Sequence, residues 1–216
     1  MDYGTLRAAM VAGQIAARGV TNARVLDAMR RVPRHLFVPE DLAVNAYDDR
    51  ALPIGLGQTI SQPYMVASMT EALRLTGAEK VLEIGTGTGY QTAVLAELAR
   101  EVYSIERIGA LSIDAGIRLR SLGYVHAHLV TGDGTLGLPE HAPFDRILVT
   151  AGAPEPPPPL LAQLAEGGRL VIPVGSLTSQ QIVVYTKVHG EITEERYTYC
   201  TFVPLIGTHG WGPEDA

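Results

Sequence analysis

Apolar residues recur at helical spacing from Leu6 to Met29: Leu6, Met10 and Ala17, then Val25, Leu26 and Met29 behind a candidate cap at Thr21. The spacing predicts two short helices. The prolines of Val32-Pro33-Arg34-His35-Leu36-Phe37-Val38-Pro39 break the pattern, because proline has no N–H to offer a helix interior. Residues 40–60 show weak periodicity and close in Pro53-Ile54-Gly55-Leu56-Gly57, a loop by composition. A third helix is predicted from Pro63, which suits a first turn, with Ser61 or Gln62 as its cap. Val66, Met69 and Leu73 supply its buried stripe, and Gly77 its stop.

From residue 80 the period alternates. Strands are predicted over 80–84, 102–105, 126–130, 146–150 and 169–174, with helices over 90–100, 110–122 and 160–164. Such alternation implies an α/β fold with a doubly wound, mostly parallel sheet. The tail over 181–202 is β-rich (Ile182-Val183-Val184-Tyr185, then 197–203), with a polar turn at His189-Gly190. It reads as a C-terminal antiparallel β hairpin on one sheet edge. Pro156 to Pro159 reads as a stiff loop. The expected organisation is a single domain: N-terminal helices and extension over 1–62, a ligand-binding core over 63–176, and a β-rich tail over 177–216.

Composition narrows the class. With 216 residues, 46% hydrophobic and 19% charged, the chain fits one large soluble domain with a substantial core. Its net charge of -6 argues against a nucleic-acid partner, and Arg30-Arg31 with Arg34 is too short to be a basic stripe. Cys200 is the only cysteine, so neither an internal disulfide nor a cysteine zinc site is expected. His126 and His128 alternate on a strand without a third ligand, so no metal is expected. Arg7, Gln14 and Arg18 interrupt the N-terminus, unlike a signal peptide, and no apolar run approaches the roughly 20 residues that cross a bilayer. The expectation is a reduced, cytoplasmic, monomeric enzyme with no membrane partner.

Candidate chemistry begins at Val81-Leu82-Glu83-Ile84 followed by Gly85-Thr86-Gly87-Thr88-Gly89-Tyr90: a strand, a tight glycine turn and a helix start. In a doubly wound sheet that turn faces the ligand crevice. The spacing is Gly-x-Gly-x-Gly, not the Gly-x-Gly-x-x-Gly of the dinucleotide fingerprint. Glu106 ends the next strand, where a carboxylate can accept both hydroxyls of a ribose. Asp133, in Thr131-Gly132-Asp133-Gly134, ends the third and suits an adenine amino group. Taken singly, Glu106 is equally well a solvated strand end and Asp133 an Asp-Gly turn. Together they predict an S-adenosylmethionine site made of Glu83, Gly85, Thr86, Gly87, Thr88, Gly89, Tyr90, Glu106, Asp133 and Gly134, in a Rossmann-like methyltransferase fold.

Several stretches resemble the protein-L-isoaspartate (D-aspartate) O-methyltransferase family. They are Val32-Pro33-Arg34 with Phe37-Val38-Pro39, Gly57-Gln58-Thr59-Ile60-Ser61-Gln62-Pro63-Tyr64-Met65-Val66-Ala67, and 82–92 around the glycine turn. Further on come Gly132-Asp133-Gly134, Pro143-Phe144-Asp145, 167–175, and Phe202-Val203-Pro204-Leu205. The match runs in order over nearly the whole chain, and Gln-Thr-Ile-Ser is its most particular segment. Thr88 stands where many relatives carry serine, which keeps the hydroxyl. The resemblance implies methylation of the free α-carboxylate of L-isoaspartyl residues in damaged proteins, after which the ester closes to a succinimide. It implies Ser61 as the active-site serine, with Gln58 and Thr59 beside it, and isoaspartyl peptides and proteins as partners.

That chemistry needs few reactive groups. A carboxylic acid near pKa ~4 is already ionised at neutral pH, so no general base is required. Proximity and alignment can supply roughly 7–11 kcal/mol. From the residues alone Ser61 reads as a helix cap; the resemblance is what makes it catalytic. Tyr64 and Trp211 are candidates for lining a peptide groove, and Tyr64 equally for helix packing. A nucleic-acid amino methyltransferase would want Asn/Asp-Pro-Pro-aromatic after the fourth strand, where this chain has Thr150-Ala151-Gly152-Ala153-Pro154. A nicotinamide dehydrogenase or a non-catalytic binding module are the competing classes.

Overall fold

Asp2 starts α1 (Tyr3–Ala9): its carboxylate accepts from the N–H groups of Gly4 and Thr5 at 2.9 and 3.2 Å. In this computed structural model, which describes residues 2–215, the turn then widens over Met10–Ile15 and tightens over Ala16–Arg18. Met10, Val11 and Ile15 go into the core. Asn22, not Thr21, caps α2 (Ala23–Arg31), accepting from Arg24 and Val25. The backbone N–H groups of Thr21 and Asn22 are instead taken by the Glu71 carboxylate.

The predicted loop over 53–57 is a hairpin. β1 (Leu52–Gly55) pairs antiparallel with β2 (Gln58–Ile60), Leu52 opposite Ile60, around a turn with Leu56 and Gly57 both at positive φ. Strands of three and four residues are too short to display a period of two. The hairpin matters because it delivers Gln58, Thr59 and Ser61 to the ends of the large sheet.

α3 (Pro63–Ala72) has proline at its first position and Gln62 as its cap residue, with no capping side-chain bond. It stops where Arg74 turns left-handed at φ 54, before the expected Gly77. Then follow β3 (Lys80–Ile84), α4 (Tyr90–Ala96), β4 (Glu101–Glu106), α5 (Gly109–Ser121), β5 (Ala127–Thr131) and β6 (Phe144–Val149). α6 (Pro158–Ala162) begins inside the proline run, because a first helical turn has no intrahelical use for its N–H groups. β7 (Leu164–Gly175) starts earlier than expected, through an irregular register against β6 between Phe144 and Arg146. β8 (Gln180–Val188) and β9 (Glu191–Cys200) form the hairpin, turning at His189-Gly190.

The seven strands lie in the order β5-β4-β3-β6-β7-β8-β9, parallel from β5 to β7 and antiparallel thereafter. The chain leaves β3 toward β4 and β5, then returns to its other side with β6. That reversal opens a crevice at the carboxyl end of β3. One face of the sheet packs on the N-terminal helices, α3 and α4; the other packs on α6 through Leu160, Phe144 and Ile147. Arg34 ties the N-terminal segment to α4. Wholly buried, it donates Nε to the Ala46 carbonyl at 2.7 Å, and its guanidinium lies 4.8 Å from the Tyr90 ring centre.

Candidate active site

The glycine turn is built against the ends of its neighbours. Gly85 N–H donates to the Ile105 carbonyl at 2.8 Å, and the Thr150 hydroxyl donates to the Gly85 carbonyl at 2.8 Å. Gly85 sits at φ 96, and a Cβ there would lie 2.4 Å from Thr150 Oγ1. Glycine is therefore dictated twice, by conformation and by space. At Gly134 a Cβ would meet Ile84 Cγ2 at 2.3 Å, so the wall beside β3 must also be bare backbone.

Glu106 ends β4 and is nearly buried. One carboxylate oxygen accepts the Gly87 N–H at 2.8 Å and the other the Ile108 N–H at 2.9 Å. Each oxygen keeps a second lone pair, enough for a vicinal diol. Thus the carboxylate shapes the turn and faces the same cleft as the turn.

Glu83 lies elsewhere. It is fully buried under the turn, on the side of the sheet that packs α4, where its Oε2 accepts from the hydroxyls of Thr92 and Ser104. Ser104 in turn meets Thr86 Oγ1 at 2.6 Å, so a chain of hydroxyls links the turn to Glu83. Its Oε1 is buried with no partner among the described residues. Burial pushes the carboxyl up to about 8, only partly offset by the Ser104 and Thr92 hydroxyls. The folded protein therefore retains a proton that the unfolded chain releases above its ordinary value of 4.5. The sign follows: Glu83 contributes stability below the ordinary carboxylate range, and that contribution is lost as pH rises toward about 8. Urea melts between pH 5 and pH 8 are expected to show stability falling by up to ~1.4 kcal/mol per pH unit, a decline flattened in Glu83→Gln. An identical decline in both proteins would remove Glu83 as its source.

Asp133 is also engaged. It accepts from Thr135 N–H and hydroxyl at 2.9 and 2.6 Å and from Thr208 N–H at 2.8 Å. Burial works against ionisation here, but the bonds from Thr135 and Thr208 hold the carboxyl below its usual range. It fastens the C-terminal tail across the strand ends, and Gly134, not the Asp133 side chain, lines the cleft. Trp211 anchors the same tail, donating Nε1 to the Gly152 carbonyl at 3.0 Å.

The cleft has two lobes joined at Thr59, Gly85, Gly87 and Thr150. The larger, about 560 Å³, contains Glu106, Gly134 and Gln58, and is closed by Val203 to Ile206 of the tail. The smaller, about 460 Å³, contains Ser61, Thr86, Thr88, Tyr90 and Gln91. Among the described residues the Ser61 hydroxyl makes no hydrogen bond, so it is not the cap that local sequence suggests. The lobe it lines holds no carboxylate, and Asp49 in the adjoining groove is already taken by Arg18 and Gln62, which leaves room for an anionic acceptor. Of the predicted residues, Gly85, Thr86, Gly87, Thr88, Tyr90, Glu106 and Gly134 share the cleft with Gln58, Thr59 and Ser61; Gly89 faces Leu119 and Ala115 of α5, and Glu83 and Asp133 stand behind the walls. Sequence reasoning missed Thr150, Arg107 and the tail wall. Thr150 was within reach, since it follows β6 at the strand-order reversal; the tail was not, because nothing local says where it folds.

Residues 6–210 match the model of the family described as protein-L-isoaspartate(D-aspartate) O-methyltransferase. The chain is 56% identical to protein-L-isoaspartate O-methyltransferase 2 of Geotalea uraniireducens, over 97% of both chains. It is 58% identical to the protein-L-isoaspartate O-methyltransferase of Syntrophus aciditrophicus, over 95% of both. Among solved structures, a protein-L-isoaspartate O-methyltransferase superposes with a TM-score of 0.83 at 29% identity, covering 96% of this chain and 67% of that one. A Plasmodium falciparum structure, described as this methyltransferase in complex with S-adenosyl-L-homocysteine, superposes with a TM-score of 0.80 at 25% identity, covering 93% of this chain and 98% of that one.

Proposed function

The chain belongs to the protein-L-isoaspartate(D-aspartate) O-methyltransferase family, and we propose that Ser61, Thr59 and Gln58 form the acceptor end of its active site, with Glu106 and the glycine turn holding the cofactor. The enzyme is S-adenosylmethionine-dependent and methylates the free carboxylate of L-isoaspartyl residues, which starts their repair through a succinimide.

The bare backbone at Gly85 and Gly134 and the inward carboxylate of Glu106 fit an adenosine. Glu106 would accept from the ribose hydroxyls, and Gly134 would lie along the adenine. When bound, S-adenosylmethionine supplies an electrophilic sulfonium methyl. Glu83, through Ser104 and Thr86, stiffens the turn from beneath, and Asp133 holds the tail wall over Gly134. Thr86, Thr88 and Tyr90 line the lobe between cofactor and acceptor.

At the acceptor end Ser61 donates its unengaged hydroxyl to the substrate carboxylate and turns one oxygen toward the methyl. The first turn of α3 directs free N–H groups and a partial positive charge to the same place. No residue has to remove a proton, because the acceptor carboxylate is already ionised at neutral pH. The observation that carries this reading is the single cleft joining an unengaged Ser61 hydroxyl to Glu106 across the glycine turn.

The same reading assigns substrate binding to 1–62, cofactor binding to 63–176 and closure of the cleft to 177–216. It also describes a cytoplasmic monomer that engages isoaspartyl peptides and not nucleic acid or membrane, in keeping with a net charge of -6. Among the described residues no helix is long and apolar enough to cross a membrane. Labelled S-adenosylmethionine with paired peptides differing only in Asp or isoAsp tests the acceptor. Label is expected in the isoAsp peptide alone and is released as methanol by mild base; equal labelling of the pair refutes the reading.

A further inference from the structure

The smaller lobe opens past Ser61 into a surface groove whose walls are Tyr64 on α3 and Tyr199 at the end of β9. Arg18 lies across it, its guanidinium 3.7 Å from the Tyr64 ring centre. Beyond Arg18 a second groove runs between α3 and β9, over Ile182, to Arg74 and Tyr197. The two share Arg18, Tyr64 and Thr198, so one trough connects the Ser61 end of the cleft to the C-terminus of α3.

Two arginines, Arg74 and Arg169, stand at its far end, with the carboxylates of Glu71 and Glu195 nearby. Arg74 is exposed, and its side chain makes no hydrogen bond or ion pair among the described residues. Arg169, on β7, is 6% exposed; it donates Nε to the Ala72 carbonyl at 2.9 Å, and its Nη2 is buried without a partner. Its bond to Ala72, two residues before Arg74, sets Arg169 beside the end of α3, and burial first, then the charge of Arg74, hold its guanidinium below the ordinary value. The nearby acids are engaged: Glu71 with the N–H groups of Thr21 and Asn22, and Glu195 with the Tyr197 hydroxyl. Guanidinium groups left with donors to place match a carboxylate, which accepts two N–H bonds at once.

Length sets the spacing. From Ser61 to Arg74 the helix covers roughly 20 Å, which an extended peptide crosses in about six residues. We propose that the trough holds the acceptor polypeptide in extended form, and that Arg74 with Arg169 reads a carboxylate about six residues from the isoaspartyl site. The inference rests on the isoaspartyl reading of the Ser61 end.

Matched isoaspartyl peptides carrying glutamates about five to seven positions away, on the N-terminal side in one and the C-terminal side in the other, test it against glutamine twins. Each KM is normalised to that of a short peptide that stops before the far end of the trough. On one side the Glu peptide is expected to have a KM about threefold to tenfold below its Gln twin, with kcat the same. That advantage shrinks at high salt. In Arg74→Gln the Glu-to-Gln ratio is expected to fall to near one. Equal KM for both pairs of twins, or a ratio that survives in Arg74→Gln, overturns the proposal. A short isoAsp peptide that is not methylated at all would refute the isoaspartyl reading itself, and the proposal with it.

Discussion

Glu106→Ala is expected to weaken S-adenosylmethionine binding by about a hundredfold, which is ~2.7 kcal/mol. Hydrogen bonds to an ionised partner are worth about 1.5–3 kcal/mol each, and a ribose diol would offer two of them to this carboxylate. The substitution also frees the N–H groups of Gly87 and Ile108, so the turn loses the anion that shapes it. Calorimetric titration of the cofactor measures the loss directly. Glu106→Gln keeps the size but puts a donor where the Gly87 or Ile108 N–H points, and is expected to recover little. An affinity within threefold of the wild type would move the ribose away from Glu106.

Ser61→Ala is expected to lower kcat about tenfold to a hundredfold while cofactor affinity and melting temperature stay put. A hydroxyl that orients a developing ester acts in the transition state, where a lost donor is costly. A capping serine would behave in the opposite way, costing ~1 kcal/mol of stability and leaving turnover alone. In the structure the Ser61 hydroxyl caps nothing. Ser61→Thr keeps the hydroxyl and is expected to recover part of the rate. Unchanged turnover in Ser61→Ala, with the isoAsp peptide at saturation, would transfer the orienting role to Thr59 or Gln58.

Much of this molecule is legible in its residues because much of it is locally determined. The alternation of β3 to β7 with their helices follows from side-chain period, and the parallel sheet from the alternation. Gly85 and Glu106 sit at strand ends whose place in the crevice follows from sheet topology. Even the position of Glu83 had a local signal: in a strand, alternate residues share a face, and Glu83 shares one with the buried Val81. Reading it only as part of a cofactor motif missed that it points into the core.

The remainder depends on partners distant in sequence. β1 and β2 are too short to announce themselves and exist by pairing with each other and packing Leu52 and Ile60 into the core. The tail closes the larger lobe because Asp133, Thr135 and Gly152 accept its backbone and Trp211, bonds that link residues far apart in the chain. Ser61 is released from capping by the backbone geometry around Gln62. By itself the sequence determined the sheet and the glycine turn, since those rest on side-chain period and on conformations that favour glycine, and it reached the class of cofactor by reading that turn with Glu106 and Asp133. The tertiary structure alone decided which carboxylate faces the cleft, what closes it, and where a trough leads away from Ser61, because those are contacts between segments that no local pattern encodes.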